Sequence, residues 1–368
     1  MKSVKVNSND AGQRLDKFLL KHFESLPKSM MFKQIRKKNI KLNRKRCTPE
    51  QVINVGDVID LYLPDDMLRE RTVHYDFMSA PKGLNIIYED ENVILMDKPQ
   101  GVLCHPDGKE YVNTLIASMK RYLYEKGEYN PDEENSFTPS LANRIDRNTG
   151  GIVIGAKNYL SLKILNQKIK DREIDKYYLT VCEGVFDKKS DVLDGWLVKD
   201  ERKNMVKVLS DKADGAKRIR TKYTVLDSYD GKSLVEIELL TGRTHQIRAH
   251  LASIGHPLLN DGKYGNTHGR FKQELYSYKL RFNFTSESDV LEYLNGREFV
   301  SNNCPILTKF ENKVLSKREK LDKYGYFGLF LFVGIPVPGT GVWTGCFLAS
   351  LLNMDKKKSF IAALAGVI

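Results

Sequence analysis

Residues 29–39 set Met31, Phe32 and Ile35 on one face and crowd Lys33, Arg36, Lys37 and Lys38 around it. That spacing predicts a short helix capped by Ser29, with basic residues in the last turn, where the helix dipole favours cations. Asn39 can stop it; a strand over 40–43 follows, then the basic turn Arg44-Lys45-Arg46. After Gly56-Asp57, residues 58–63 alternate apolar and polar as a half-buried strand does. Leu162, Leu165 and Ile169 predict a second helix over 158–172, and residues 177–181 and 234–239 read as strands. From Thr244, Ile247, Leu251 and Ile254 recur at i, i+4 and i+7, a helix that Gly255 would end. Gly150-Gly151 opens the apolar run Ile152-Val153-Ile154, a buried strand. Helices and strands mix without a regular strand–helix–strand rhythm, which predicts the α+β class.

The pattern changes after residue 305. Residues 306–323 are charged at helical spacing, and residues 324–354 then carry no charge at all. Such a stretch is long enough for a bilayer, where about 20 apolar residues suffice. Pro336-Val337-Pro338-Gly339 interrupts it, so a hairpin or re-entrant segment is expected rather than one straight span.

Charge narrows the partners. The 368 residues carry a formal net charge of +12, which favours a polyanion or an anionic membrane surface. The first 66 residues hold 14 Lys/Arg and 8 Asp/Glu, so half of that excess lies in under a fifth of the chain. The cysteines (47, 104, 182, 304 and 346) are far apart with no Cys-x-x-Cys, which points to reduced thiols and to neither a disulfide framework nor a zinc site. Residues 1–16 contain no apolar signal core, so a cytoplasmic location is expected, with membrane attachment through residues 324–368 as the variant that the tail introduces. An acidic, turn-rich stretch over 127–135 is expected to be a mobile surface loop.

The candidate chemistry sits in two segments. Asn143-Arg144-Ile145-Asp146-Arg147-Asn148-Thr149-Gly150-Gly151 presents a carboxylate on a polar loop that runs into a buried strand. Thr241-Gly242-Arg243-Thr244-His245-Gln246-Ile247-Arg248-Ala249-His250 presents a basic cluster. A carboxylate held by a rigid strand yet reachable is a usual catalytic arrangement, although an Asp before a Gly-Gly turn is also ordinary turn chemistry. His245 and His250 stand five apart with no accompanying Glu, which argues against a metal site; capping and packing are the expected roles.

These segments resemble the signature motifs of the RluA-type pseudouridine synthases, which convert uridine to pseudouridine in ribosomal or transfer RNA. Asp97-Lys98-Pro99-Gln100-Gly101, Lys176-Tyr177-Tyr178, and Gly255-His256-Pro257-Leu258 through Asp261 and Tyr264-Gly265 are similar to three further motifs of that family, in the same order. Two positions depart from it: the family usually has His where Asn143 stands and Gly where Asn260 stands. The resemblance implies a mixed, mainly antiparallel sheet flanked by helices, with the cleft across its middle. It implies Asp146 as the carboxylate acting at C1′, either as nucleophile or in forming a glycal, with Arg248 as its ion-pair partner. Tyr178 would stack on the target base or take the C5 proton, and a one-residue slip in register would hand that role to Tyr177. Arg144 would fill the gap left by the flipped uridine. The reaction breaks and remakes a glycosidic bond without redox, metal or external energy, so no cofactor is expected.

Residues 11–64 resemble the S4 RNA-binding domain, which would make Lys33, Arg36, Lys37, Lys41, Arg44 and Arg46 phosphate contacts, supplying affinity rather than sequence information. Residues 323–328 and 338–345 are similar to part of the small multidrug export protein family. The expected organisation is an S4-like domain over 1–70, a synthase domain over 80–302 and a membrane-type hydrophobic tail over 305–368, a fused or truncated fragment. The expected function is pseudouridine synthesis, with large-subunit ribosomal RNA as partner and a monomer as the assembly. Two other readings stay open: a non-catalytic S4-type RNA-binding protein, or a membrane protein acting through its tail.

Overall fold

The computed structural model describes residues 1–200, 205–265 and 272–309. The expected hydrophobic tail lies outside the described residues from 310 onward, and so does Cys346.

The N-terminal part builds a small antiparallel sheet. Its strands β1 (Lys2–Lys5), β2 (Ile40–Leu42), β3 (Lys45–Arg46) and β4 (Val58–Leu61) lie in the order β1-β4-β2-β3. Helices α1 (Leu15–His22) and α2 (Lys28–Arg36) share a core with it, in which Phe18, Met31, Ile40 and Ile59 are fully enclosed. The predicted helix is present, but Pro27 rather than Ser29 occupies the cap position and no side chain caps it. Proline supplies the extended backbone of a cap by its own geometry, so the hydroxyl is not needed. Met31 and Ile35 face the core as expected. The basic turn expected over 44–46 is instead a two-residue hairpin loop, Asn43 (φ 52°) and Arg44 (φ 64°), both left-handed as strand twist requires, with Lys45 and Arg46 in β3.

The larger part is an eleven-stranded sheet. Along it lie β5 (Ile86–Glu89), β6 (Val93–Lys98), β7 (Ser140–Leu141), β8 (Gly150–Ala156), β9 (Ile174–Glu183), β10 (Ser190–Asp200), β11 (Met205–Leu209), β12 (Lys217–Tyr229), β13 (Lys232–Glu238), β14 (Leu275–Phe282) and β15 (Glu298–Val300). The main path runs β11-β10-β12-β13-β9-β14-β8-β6-β5, with β15 on β14 and β7 on β8. Only β14 and β8 pair in parallel, so the sheet is mixed and mainly antiparallel. Helices α3 (Leu115–Glu125), α4 (Tyr159–Lys170) and α5 (Gln246–Ser253) pack against it. Asn158 caps α4 by accepting the Ser161 amide at 2.9 Å.

Strand β8 is buried along its whole length, as a continuous apolar run in a sheet centre should be. Its two leading glycines are required by close approach. A Cβ on Gly151 (φ 111°) would lie 2.1 Å from the Ser277 carbonyl oxygen, and one on Gly150 would enter the Tyr276 ring. This crossing of β8 and β14 carries the chain directly out of the Asp146 loop.

Residues 127–135, expected as a mobile loop, are instead fastened to the N-terminal unit. Asn9 donates to the Glu134 carboxylate, the His22 ring bonds the Asn135 carbonyl at 2.7 Å, and buried Asp10 accepts the amides of Ser136 and Phe137 at 3.0 and 2.9 Å. Tyr129 is buried beside Phe77. Acidic composition marked this stretch as solvated; the Asn, Gln and His groups that receive it come from a distant part of the chain.

Candidate active site

Asp146 stands in the connection from β7 to β8. The backbone around it is anchored from below by Lys98 at the end of β6. The Lys98 side chain is fully buried, and its ammonium donates to the carbonyls of Pro99 (3.0 Å), Val102 (2.7 Å) and Arg147 (3.1 Å). Burial pulls its pKa down to about 8. The Gly101 amide donates to the Arg147 carbonyl, and the Arg147 guanidinium returns a bond to the Gly101 carbonyl. A turn bond from the Thr149 amide to the Asp146 carbonyl closes the loop. These bonds tie the backbone groups of the two turns together, so the carboxylate is offered on a stiff support.

Helix α5 brings Arg248 to it. The Arg248 Nη1 lies 3.5 Å from Asp146 Oδ2, while Nε and Nη2 both donate at 2.7 Å to the two oxygens of Asp261. Asp261 is fully buried and also accepts the amides of Lys263 and Tyr264. These bonds hold its carboxyl below the usual carboxylate range against the opposing effect of burial. Burial pulls the Arg248 guanidinium down, but Asp261 more than compensates and its pKa is raised. The expected ion pair between Asp146 and Arg248 is therefore the looser of two, and the tight one is with Asp261. In the sequence Asp261 stands within a motif that gave it no role of its own. Two of its acceptor bonds come from residues two and three positions on, the local signature of an Asx-type turn.

Tyr178 and Tyr177 occupy opposite faces of β9. Tyr178 is buried and feels the Asp146 charge, whereas Tyr177 lies among Asp175, Glu236 and Glu238 with Lys279 over its ring at 4.3 Å. Burial raises the Tyr178 phenol, and the Ser277 side chain offsets it only in part. Of the two tyrosines, Tyr178 is thus the one on the Asp146 side.

His245 sits at the cap position of α5 in the left-handed region (φ 54°, ψ 14°), yet its side chain caps nothing. Its Nε2 lies 3.8 Å from Asp146 Oδ2 and its Nδ1 lies 3.0 Å from the Tyr264 hydroxyl. His250 is buried, bonds Thr221 Oγ1 at 3.0 Å, and takes the packing role expected of it. Arg144 is exposed and makes no ion pair among the described residues; its charge lowers the pKa of His105, behind the larger effect of burial. No group of three or more His, Cys, Asp or Glu suited to a metal ion occurs among the described residues.

On the N-terminal unit, Lys33, Arg36, Lys37, Arg44 and Arg46 are exposed on α2 and the β2–β3 hairpin, without an ion-pair partner among the described residues. Lys41 is half-buried, with its ammonium 5.1 Å from the centre of the Tyr62 ring. Cations left unneutralised on adjoining elements make a surface ready for phosphates.

The family described as RNA pseudouridylate synthase matches residues 92–253, and the S4 domain matches residues 13–59. An RNA pseudouridine synthase of Mycoplasma capricolum, itself uncharacterized, is 30% identical over 81% of this chain and 96% of its own. The ribosomal large subunit pseudouridine synthase D of Borreliella burgdorferi is 30% identical over 75% of this chain and 83% of its own. The ribosomal large subunit pseudouridine synthase C of Haemophilus influenzae is 27% identical over 80% and 90%. The chain belongs to the RNA pseudouridine synthases, in their RluA-type branch, and is an isomerase. A third match, to the family described as "Putative small multi-drug export protein", covers residues 288–368. Its first part overlaps the synthase core: Leu291, Leu294 and Phe299 are buried there, Ile306 is buried, and Lys309 pairs with Glu274 at 2.7 Å. Among the described residues no helix is long and apolar enough to cross a membrane.

Asp261→Asn should cost about 3–5 kcal/mol of stability, because it leaves the buried Arg248 charge with only the looser contact to Asp146. The wild-type carboxyl, with its depressed pKa, contributes stability that is complete above about pH 4 and lost as pH falls through its folded value. Urea unfolding across pH 3–7 should therefore show a difference between the two proteins that shrinks at the acid end.

Proposed function

We propose that this protein isomerises uridine to pseudouridine in large-subunit ribosomal RNA, with Asp146 as the carboxylate that acts at C1′. In the reaction the C1′–N1 bond breaks, the base turns, and a C1′–C5 bond forms; C5 loses a proton and N1 gains one, so composition is unchanged. The observation that carries the assignment is the Asp146 carboxylate beside an Arg248 whose other nitrogens are locked on Asp261. Arg248 Nη1, 3.5 Å from Asp146 Oδ2, holds the carboxylate in place for its role as nucleophile or as assistant to glycal formation. Tyr178 contacts the base, and its buried, neutral phenol supports stacking over proton abstraction. Arg144, exposed and without an ion pair among the described residues, fills the space of the flipped nucleotide, since reaching C1′ and C5 together requires unstacking at a cost of a few kcal/mol. Lys33, Arg36, Lys37, Lys41, Arg44 and Arg46 hold phosphates of the folded RNA. The ribosomal target rests on the relatives named for the large subunit.

The domain limits follow as part of this reading: an S4 unit over 1–70, a catalytic unit over 80–302 with packing that continues to Lys309, and a tail that tethers the enzyme to a membrane through residues 324–368. The 31 uncharged residues from 324 to 354 and the exporter-family match support the tether.

Asp146→Asn should abolish tritium release from C5-labelled ribosomal RNA while binding stays within about twofold, since the shape is kept and the charge removed. Turnover near the wild-type rate would exclude Asp146 as the essential carboxylate. Replacing Lys33, Arg36 and Lys37 together should flatten the dependence of log K on log salt, by roughly 0.7–0.9 for each phosphate that is no longer neutralised. An unchanged slope in filter binding would show that this face is merely solvated. Removing residues 310–368 should leave a soluble, active enzyme, whereas the full chain should partition with membranes; a truncated protein that misfolds would place the tail within the fold.

A further inference from the structure

The chemistry assigned to Asp146, Arg248 and Tyr178 leaves His245 unused, although three features of it are unusual together. It is a non-glycine residue in the left-handed region, at φ 54° and ψ 14°. Backbone strain of this kind persists only where surrounding structure enforces it, and it gathers at functional sites. Its position at the start of α5 would suit a cap, yet the ring makes no capping bond. Instead it stands between Asp146 and Tyr264, with its side chain largely shielded from solvent.

Hydrogen bonding decides which ring nitrogen carries the proton. The Tyr264 hydroxyl oxygen accepts the Val206 amide at 2.9 Å. Among the described residues its own hydrogen has no acceptor other than His245 Nδ1, at 3.0 Å. A hydroxyl that donates to Nδ1 leaves the hydrogen of a neutral imidazole on Nε2. That nitrogen is the one facing Asp146 Oδ2, at 3.8 Å. Arg248 Nη1 addresses the same oxygen at 3.5 Å. Both donors thus converge on Oδ2, and Oδ1 has no hydrogen-bond partner among the described residues. Catalytic hydrogen bonds are often long before substrate binds and tighten in the reacting complex.

We propose that His245, held by Tyr264 as the Nε2–H tautomer, is a positioning residue: with Arg248 it fixes Oδ2 of Asp146 so that Oδ1 is the oxygen presented to C1′. This rests on Asp146 being the reacting carboxylate. Two donors from different directions define the rotation of a carboxylate, which a single arginine nitrogen does not. Arg248 is tied to Asp261 and cannot follow Asp146, so the imidazole supplies the second constraint. The left-handed backbone at residue 245 is what swings the ring off the helix and towards the loop.

The substitutions separate this role from a structural one. In His245→Asn the amide can replace Nδ1 at Tyr264 but is too short to reach Asp146, and asparagine tolerates the left-handed region well. In His245→Gln the amide can reach Asp146. On a C5-tritiated ribosomal RNA transcript, His245→Asn should fold with an unchanged or higher Tm and lose on the order of 100-fold in kcat, the scale of a misplaced reacting group, with KM within about twofold. His245→Gln should recover at least a tenth of the wild-type kcat, and Tyr264→Phe, which releases the tautomer, should fall between. Wild-type kcat in His245→Asn overturns the proposal, as does a His245→Gln enzyme no faster than the Asn one. If His245→Gln does not fold, 15N imidazole shifts of the full-length wild-type protein decide: a protonated Nε2 and bare Nδ1 support the proposal, and the opposite tautomer overturns it. Asp146→Asn run alongside distinguishes the two levels. Activity in that variant removes the assignment of Asp146 itself, whereas an inactive Asp146→Asn with a fully active His245→Asn removes only the role of His245.

Discussion

The buried contact between Arg248 and Asp261 organises the catalytic end of the molecule. Two bonds of 2.7 Å join them in a plane, and the amides of Lys263 and Tyr264 satisfy the carboxylate further. Burying two charges is expensive, and such a pair is favourable only with close geometry and saturated hydrogen bonding. Both conditions are met. With its Nε and Nη2 committed, Arg248 has one nitrogen left for Asp146, at a distance that attracts the carboxylate without neutralising it through a close bond. Asp146 is thereby oriented yet open on one side, as the role proposed for it requires. The same pair places Tyr264, whose ring lies under the guanidinium and whose hydroxyl reaches His245.

A second constraint acts from beneath. Lys98 directs all its donors to three backbone carbonyls around the Asp146 loop, and burial brings its pKa to about 8. A lysine in this position behaves as a structural pin: its hydrogen bonds hold two turns together that no strand pairing connects. Asp97, next to it, ties the other side of the sheet by accepting from Tyr276 and Ser301, each at 2.6 Å. Asp97 and Lys98, which the motif names without a role, are scaffolding that stiffens the support of the Asp146 loop.

The RNA-binding and catalytic units are joined by polar contacts rather than by a shared apolar core. Asp10, Gln13, Asn9 and His22 of the first unit receive residues 134–136 of the second. Burial raises the Glu134 carboxyl to about 6 despite its bonds to Asn7 and Asn9. Such an interface fixes the placement of the basic face of α2 relative to the Asp146 loop through directional bonds.

Much of the site was legible in the sequence because it is encoded by local chemistry. Asp146 before Gly150-Gly151 and an apolar run announced a rigid loop into a buried strand, and alternation along a strand was enough to put Tyr177 and Tyr178 on opposite faces. The basic α2 and the hairpin at Arg44 followed from periodicity and turn residues. Other features depend on groups far apart in the chain. Composition cannot tell that residues 134–137 dock on Asn9, His22 and Asp10, or that Pro27 displaces Ser29 as the cap. The predicted helix includes Arg248, but its main partner thirteen residues away came only with the turn at Asp261. Nor does periodicity reveal that His245 leaves the helix and faces Asp146 across a hundred residues of sequence. Periodicity reports which face is buried; the partner of a buried charge is chosen by tertiary packing, because only there do desolvation and hydrogen-bond geometry take their values.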